Sequence, residues 1–228
     1  MVKYAELHCH TNFSFLDGAS HPHTLVEQAA ALGYTAVGVT DHDGFRGAVK
    51  VHQAAKVLGV PVVYGTEVGM SRSDEDRPAV PKPVAVEPHA APTRRGRIRR
   101  MHGSKPTNLP TRDHLVLLAP DPAGYAAISR FVTLGQYRGK KDAPRYGYED
   151  LGRAADDGNL VALTGCHQGA VPRAAAAGDF AGAREAAARL REVFPDRLYV
   201  ELTHHGMPED GPRNDMLADV AAALTLPT

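Results

Sequence analysis

The sequence has no excess of charge of either sign: 26 Lys and Arg balance 26 Asp and Glu over 228 residues. Such a chain lacks the broad basic surface that neutralises a nucleic-acid backbone, so any contact of that kind must be local. No apolar run approaches the ~18 residues that a membrane-spanning helix needs. The opening residues also lack the basic-then-apolar pattern of a secretory leader, so a cytoplasmic protein with no membrane partner is expected. Only two cysteines occur, Cys9 and Cys166, far apart and each set in a strand-like run. This argues against a disulfide framework and fits a reducing compartment.

What is present near the amino end is a pair of histidines, His8 and His10, in the run Tyr4-Ala5-Glu6-Leu7-His8-Cys9-His10. In an extended strand, side chains at i and i+2 point the same way, so the two imidazoles share a face and Leu7 and Cys9 share the other. Two adjacent imidazoles repel when protonated and pack poorly when neutral unless something binds them. Asp17, beyond a polar turn, can fold back as an oxygen ligand to the same or a neighbouring ion. Cys9, on the opposite face, reads as a small buried hydrophobe.

The chain then alternates helix-like and strand-like runs. A helix over 22–32, with Leu25, Val26, Ala29 and Leu32 as its apolar stripe and Gly33 as its stop, leads to a strand over 35–40 that runs into Asp41-His42-Asp43-Gly44. A helix over 48–58, stopped by Gly59, leads to a strand over 61–67 ending in Gly65-Thr66-Glu67. Apolar strands with histidine or acidic residues at their carboxyl ends predict an α/β fold, a parallel sheet or barrel with its site on the top face. Residues 71–112, rich in Pro, Ala and charge, predict a flexible insertion. Its basic run, Arg94, Arg95, Arg97, Arg99 and Arg100, is a candidate nucleic-acid contact. No aromatic residue interleaves it to stack on bases, which favours a solvated loop.

Regular structure is expected to resume as a strand over 114–119 and a helix over 122–134 with Asp121 as N-cap. A loop rich in Gly, Lys and Tyr follows, then a strand over 159–166 ending in Cys166. A helix over 180–193 capped by Asp179, a strand over 198–203, the pair His204 and His205, and a helix over 213–224 complete the series. Another strand should begin at Leu226-Pro227-Thr228, because the last helix of an open βα repeat would otherwise pack against nothing. The sequence is therefore expected to be part of a longer chain.

His8, His10, Asp17, His42, Glu67, His114 and Cys166 come from different strands, and all but His114 fall at or beyond a strand's carboxyl end. The set exceeds the ligands of a single zinc ion and points to two or three divalent ions close together, zinc, manganese or iron. Such a site activates water and stabilises charge on the attacking and leaving oxygens of a phosphate ester. Asp41 is a candidate for orienting His42 from behind, against a simple turn or capping role. His204 and His205 are candidate contacts for substrate phosphate. His21, His23, His52, His89, His102 and His167 read as surface or capping residues.

These motifs resemble the PHP (polymerase and histidinol phosphatase) domain family. Its strand-end His-x-His is matched by His8 and His10, a following Asp by Asp17, its Thr-Asp-His by Thr40-Asp41-His42, and its Gly-Thr-Glu by Gly65-Thr66-Glu67. Within the family, Leu16-Asp17-Gly18-Ala19 and the segments at His114 and Cys166 are similar to the N-terminal domain of bacterial DNA polymerase III alpha subunits. Thr164-Gly165-Cys166-His167-Gln168-Gly169 with Val171-Pro172 resembles the error-prone, damage-tolerant branch. The resemblance covers almost the whole chain outside residues 71–112 and implies a distorted (βα)7-type barrel. It also implies a metal cluster and a primer terminus of DNA as partner through a longer polymerase, with other replication or repair proteins as further partners. The family's closing Asp-x-His has no match here, because the chain stops where that strand would begin.

Three functions stand at this level: a phosphoesterase acting as a 3′–5′ exonuclease, a non-catalytic metal-stabilised module supporting a polymerase, and a small-molecule phosphatase of the histidinol phosphatase type. Against the third stand the Leu16-Asp17-Gly18-Ala19 and Leu163-Thr164-Gly165-Cys166 signatures. DNA synthesis itself is not expected of this chain, since the resemblance assigns the polymerase carboxylates to a domain further downstream.

Overall fold

The computed structural model describes residues 3–72, 112–140 and 143–228. Residues 73–111, with the arginine run, His89 and His102, lie outside the described residues.

The described strands form one curled, half-barrel sheet in chain order: β1 (Ala5–Glu6), β2 (Ala36–Val39), β3 (Val62–Met70), β4 (Asp113–Ala119), β5 (Val161–Leu163) and β6 (Leu198–Tyr199). Helices α1 (Pro22–Ala31) and α2 (Ala48–Leu58) make the first two crossovers. The parallel expectation holds for β1–β2–β3 and for β5–β6 but fails at β4, which runs antiparallel to both of its neighbours. This reversal matters for the site. His114 lies at the amino end of β4, opposite Gly69 of β3, and so arrives at the same edge as the carboxyl ends of the other strands.

Alternation along β4 divides its side chains between two cores. Leu115 and Leu117 join the large core under α3 (Pro122–Arg138) to α7 (Asp210–Leu224), whereas Val116 and Leu118 join a small inner core with Leu163, Leu7, Val63 and Val161. His114 shares parity with Val116 and faces inward; Glu67 shares parity with Val63, and its neighbours Val68 and Met70 face the large core. A third cluster, Val26, Ala29, Val37, Val39, Val51 and Ala55, seats α1 and α2 on β2.

The helices at 48–58 and 180–193 occur with the predicted ends, as α2 and α6 (Phe180–Val193), and Asp121 and Asp179 accept from the N–H groups of Gly124 and Gly182 as capping residues. Elsewhere the ends differ. α3 continues past the predicted end at 134 to Arg138, and Gly135 within it makes room for the buried Tyr146 ring, which lies 2.0 Å from where a Cβ would be. Two helices fall in segments read as loop or left unassigned, α4 (Tyr148–Gly158) and α5 (Ala170–Ala176); α5 carries Pro172 in its first turn, where its missing N–H costs little. The same tolerance lets α7 start at Asp210, ahead of Gly211 and Pro212 and three residues before the predicted start. β1, β5 and β6 are shorter than predicted. After α7 the chain turns beside β6, with the Val200 N–H donating to Pro227 O at 2.8 Å. Among the described residues no helix is long and apolar enough to cross a membrane.

Candidate metal centre

Glu67 is the centre of the site. Its side chain is 1% exposed, on the inner face of the sheet, and a carboxylate in such a place is costly unless paired. Three imidazoles pair with it. Its Oε2 lies 2.7 Å from His8 Nε2 and 3.0 Å from His10 Nε2, and its Oε1 contacts His114 Nδ1. Cys166 Sγ stands 3.6 Å from Oε1 and 3.4 Å from His114 Nδ1. Burial opposes the charge of Glu67, but these imidazoles outweigh it and hold the carboxyl well below the usual carboxylate range. Burial likewise disfavours a charged His8, yet its contacts with Glu201 and Glu67 lift the imidazolium pKa to about 10. Burial, and then the Glu67 charge, push the Cys166 thiol up to about 12.

His8 and His10 lie beyond the last residue of β1, in a segment held to β2 by Thr40 N–H donating to Cys9 O at 2.9 Å. The alternation rule still places both rings on Glu67, edge to face with centroids 5.1 Å apart. His42 follows β2, stacks on His10 at 4.5 Å and lies edge-on to His114 at 5.3 Å. Asp17 meets His42, Oδ2 to Nε2, at 2.5 Å, and is half exposed at the rim. The Cys166 turn depends on Gly165, whose φ of +86° and position against His114 O leave no room for a Cβ.

Two triads have donor atoms that all lie within 4.8 Å of one another, His8–His10–Glu67 and His42–Glu67–His114. These imidazole and carboxylate donors suit zinc, manganese or iron. The deep burial of an acceptor-only Glu67 among three imidazoles, with the nearby buried Glu201 Oε2 lacking a hydrogen-bond partner among the described residues, fits a place for cations. Asp17 and Cys166 border these triads without belonging to either.

Asp41 does not reach the His42 ring. It is 2% exposed and accepts hydrogen bonds from Thr11 N–H and Oγ1, Ser14 Oγ and Gly47 N–H. It therefore fastens the turn after His10 to the start of α2, which is the capping alternative. Ser14 relays this to the site: its Oγ accepts from the His42 N–H and lies 3.5 Å from His10 Nδ1. His204 and His205 lie on an exposed loop pinned by Asp210, which accepts from His205 N–H and Met207 N–H. Their contacts among the described residues are local. Cys9 is a free, partly buried thiol raised to about 11, chiefly by burial and then by Glu6. His21 and His23 stack on each other, and His52 meets the Tyr64 hydroxyl at 3.0 Å, away from the cluster.

Sequence reasoning missed one residue. Glu201, just past β6, contacts His8 Nδ1 through Oε1 at 2.6 Å. The signal was an acidic residue in the last strand-like run, the same cue that marked Glu67, hidden because Glu201 lies in no recognisable motif.

A half-barrel α/β sheet with a histidine- and carboxylate-lined cluster at the carboxyl edge of its parallel strands defines a class, and the chain belongs to it: the PHP domain family, whose model matches residues 6–205. The error-prone DNA polymerase of Mycobacterium tuberculosis is 40% identical over 223 residues, which cover 96% of this chain and 18% of that protein. The error-prone DNA polymerase of Nocardia farcinica is 39% identical over 249 residues, covering 99% of this chain and 21% of its own length. DNA polymerase III subunit alpha of Aquifex aeolicus is 30% identical over 220 residues, covering 96% and 17%. The chain thus spans about a fifth of the length of these relatives. A crystal structure from Bifidobacterium adolescentis, described as that of a metal-dependent phosphoesterase, shares the fold with a TM-score of 0.56 at 19% identity, covering 99% of this chain and 85% of its own.

Proposed function

We propose that this chain is the PHP domain of an error-prone, alpha-subunit type DNA polymerase working in the cytoplasm, and that it is a metal-dependent phosphoesterase removing nucleotides from a DNA 3′ end. The observation that carries this reading is the convergence of His8, His10, His114 and Cys166 on one buried carboxylate, Glu67, from separate elements of the sheet. In this reading two ions of zinc, manganese or iron are held by the two triads, with Glu67 common to both, and a third would draw on Asp17. Bound there, divalent ions supply Lewis acidity toward a phosphoryl oxygen and lower the pKa of water. The protein's own part is orientation. Glu67 gathers the imidazoles, Asp41 acts through Ser14 to hold the loop of His10, and the half-exposed Asp17 marks the side open to substrate. Its partners in this reading are a primer terminus and other replication or repair proteins acting through a longer polymerase.

The test is manganese- or zinc-dependent release of nucleotides from a 3′-mismatched primer, with His10→Ala as the control. Release that depends on His10 supports the nuclease. One observation favours a second reading, a metal-stabilised module without catalysis: the cluster already closes on itself through imidazole–carboxylate contacts and can brace the elements it joins. Bound metal without nucleotide release selects that reading.

A further inference from the structure

The His8 ring lies between two carboxylates, with Nε2 2.7 Å from Glu67 Oε2 and Nδ1 2.6 Å from Glu201 Oε1. The side chains of His8 and Glu201 are each only 10% exposed. Glu201 is itself anchored: its N–H donates to Thr164 Oγ1 at 3.0 Å, and the preceding Val200 is buried in the large core. A neutral imidazole carries one N–H and one lone pair, and an ionised carboxylate can only accept. Without a cation both nitrogens donate, Nδ1 to Glu201 and Nε2 to Glu67; when a cation takes the place of the Nε2 proton, contact with Glu201 keeps the remaining proton on Nδ1 and leaves the Nε2 lone pair on the side of Glu67 and His10.

We propose that Glu201 is a positioning residue of the metal centre, fixing the tautomer and orientation of His8 so that Nε2 faces the cation position shared with His10 and Glu67. This rests on the metal-centre reading above. Glu201 belongs to neither triad, so its influence passes through His8. A carboxylate behind a ligating imidazole makes that imidazole a better donor, and removing such a partner typically weakens metal binding by about 10–100-fold. The turn after β5 thereby takes part twice, Thr164 holding Glu201 while Cys166 lies beside Glu67.

Two measurements test this. In the first, zinc affinity of the whole chain is titrated against a competing chelator for the native protein, Glu201→Ala and Glu201→Gln. The alanine variant is expected to lose about 10–100-fold for one ion. The glutamine variant should recover most of that loss, because its amide oxygen can accept the same Nδ1–H bond. Unchanged affinity in the alanine variant, or a glutamine variant as weak as alanine, overturns the proposal. The second needs no variant: proton–nitrogen NMR of the metal-free native chain should show an imidazole Nδ1–H protected from exchange, and its absence overturns the proposal. If that proton is present and the native chain binds no metal, the Glu201–His8 contact stands and the metal-centre reading falls instead.

Discussion

At the scale of the residue, Glu67 has the most to lose. Removing one partner from a buried ionic cluster leaves the others uncompensated, a loss of about 3–5 kcal/mol. Glu67→Ala should therefore lower the unfolding free energy of the metal-free chain by roughly that amount in a urea titration. His8 sets the pH dependence. Its folded pKa of about 10 lies above the ordinary 6.5, so its stabilisation is complete below about pH 6.5 and is lost as the pH rises through about 10. Glu67 is shifted downward, so its contribution is present above about 4.5 and is lost as the pH falls below that. In chelator, the urea midpoint should fall between pH 7 and pH 10, and His8→Gln should flatten that fall. With metal the direction reverses, since a proton on His8 competes with the ion and affinity should climb with pH. His8, His10, His42, Glu67 and His114, which the fold brings together, were legible because their chemistry is scarce and their spacing fits strand ends. Asp41 and Glu201 were not, because their roles depend on which backbone N–H groups or rings lie opposite them.

At the scale of the element, two arrangements lie outside what periodicity can supply. The antiparallel course of β4 leaves no mark in an apolar run such as Leu115-Val116-Leu117-Leu118, yet it brings His114 to the site. The misplaced end of α3 has a packing cause. Replacing Gly135 by alanine in a solvent-facing helix would gain about 1 kcal/mol. Here a Cβ would meet the Tyr146 ring at 2.0 Å, and overpacking costs about 1–3 kcal/mol, so Gly135→Ala should lower the melting temperature. Asp41 gives a complementary case. It joins the 11–18 turn to α2 through backbone and hydroxyl donors, so Asp41→Ala should destabilise the chain by about 2–4 kcal/mol even in the absence of metal. Chelator-treated protein followed by circular dichroism measures that loss.

At the scale of the whole molecule, the alternation of strands and helices, the α/β class and the family were readable from the sequence, because strand ends and ligand-type residues coincide there. The curl of the sheet comes from pairings between distant strands, and it decides which donors meet. The two triads tie β3 and β4 to the segments after β1 and β2, so in the proposed reading an ion bound there would couple distant parts of the sheet. Metal at about 100 times its dissociation constant should then stabilise the fold by about 2.7 kcal/mol per site, read as a rise in melting temperature that chelator reverses.

The central claim is that the Glu67 cluster is a metal centre, and metal content by mass spectrometry of the purified native chain beside Glu67→Gln tests it most directly. The account predicts two divalent ions per native chain and loss of both in the variant, since Glu67 is common to the two triads. A native chain without bound metal, or a variant that keeps its full complement, would contradict it.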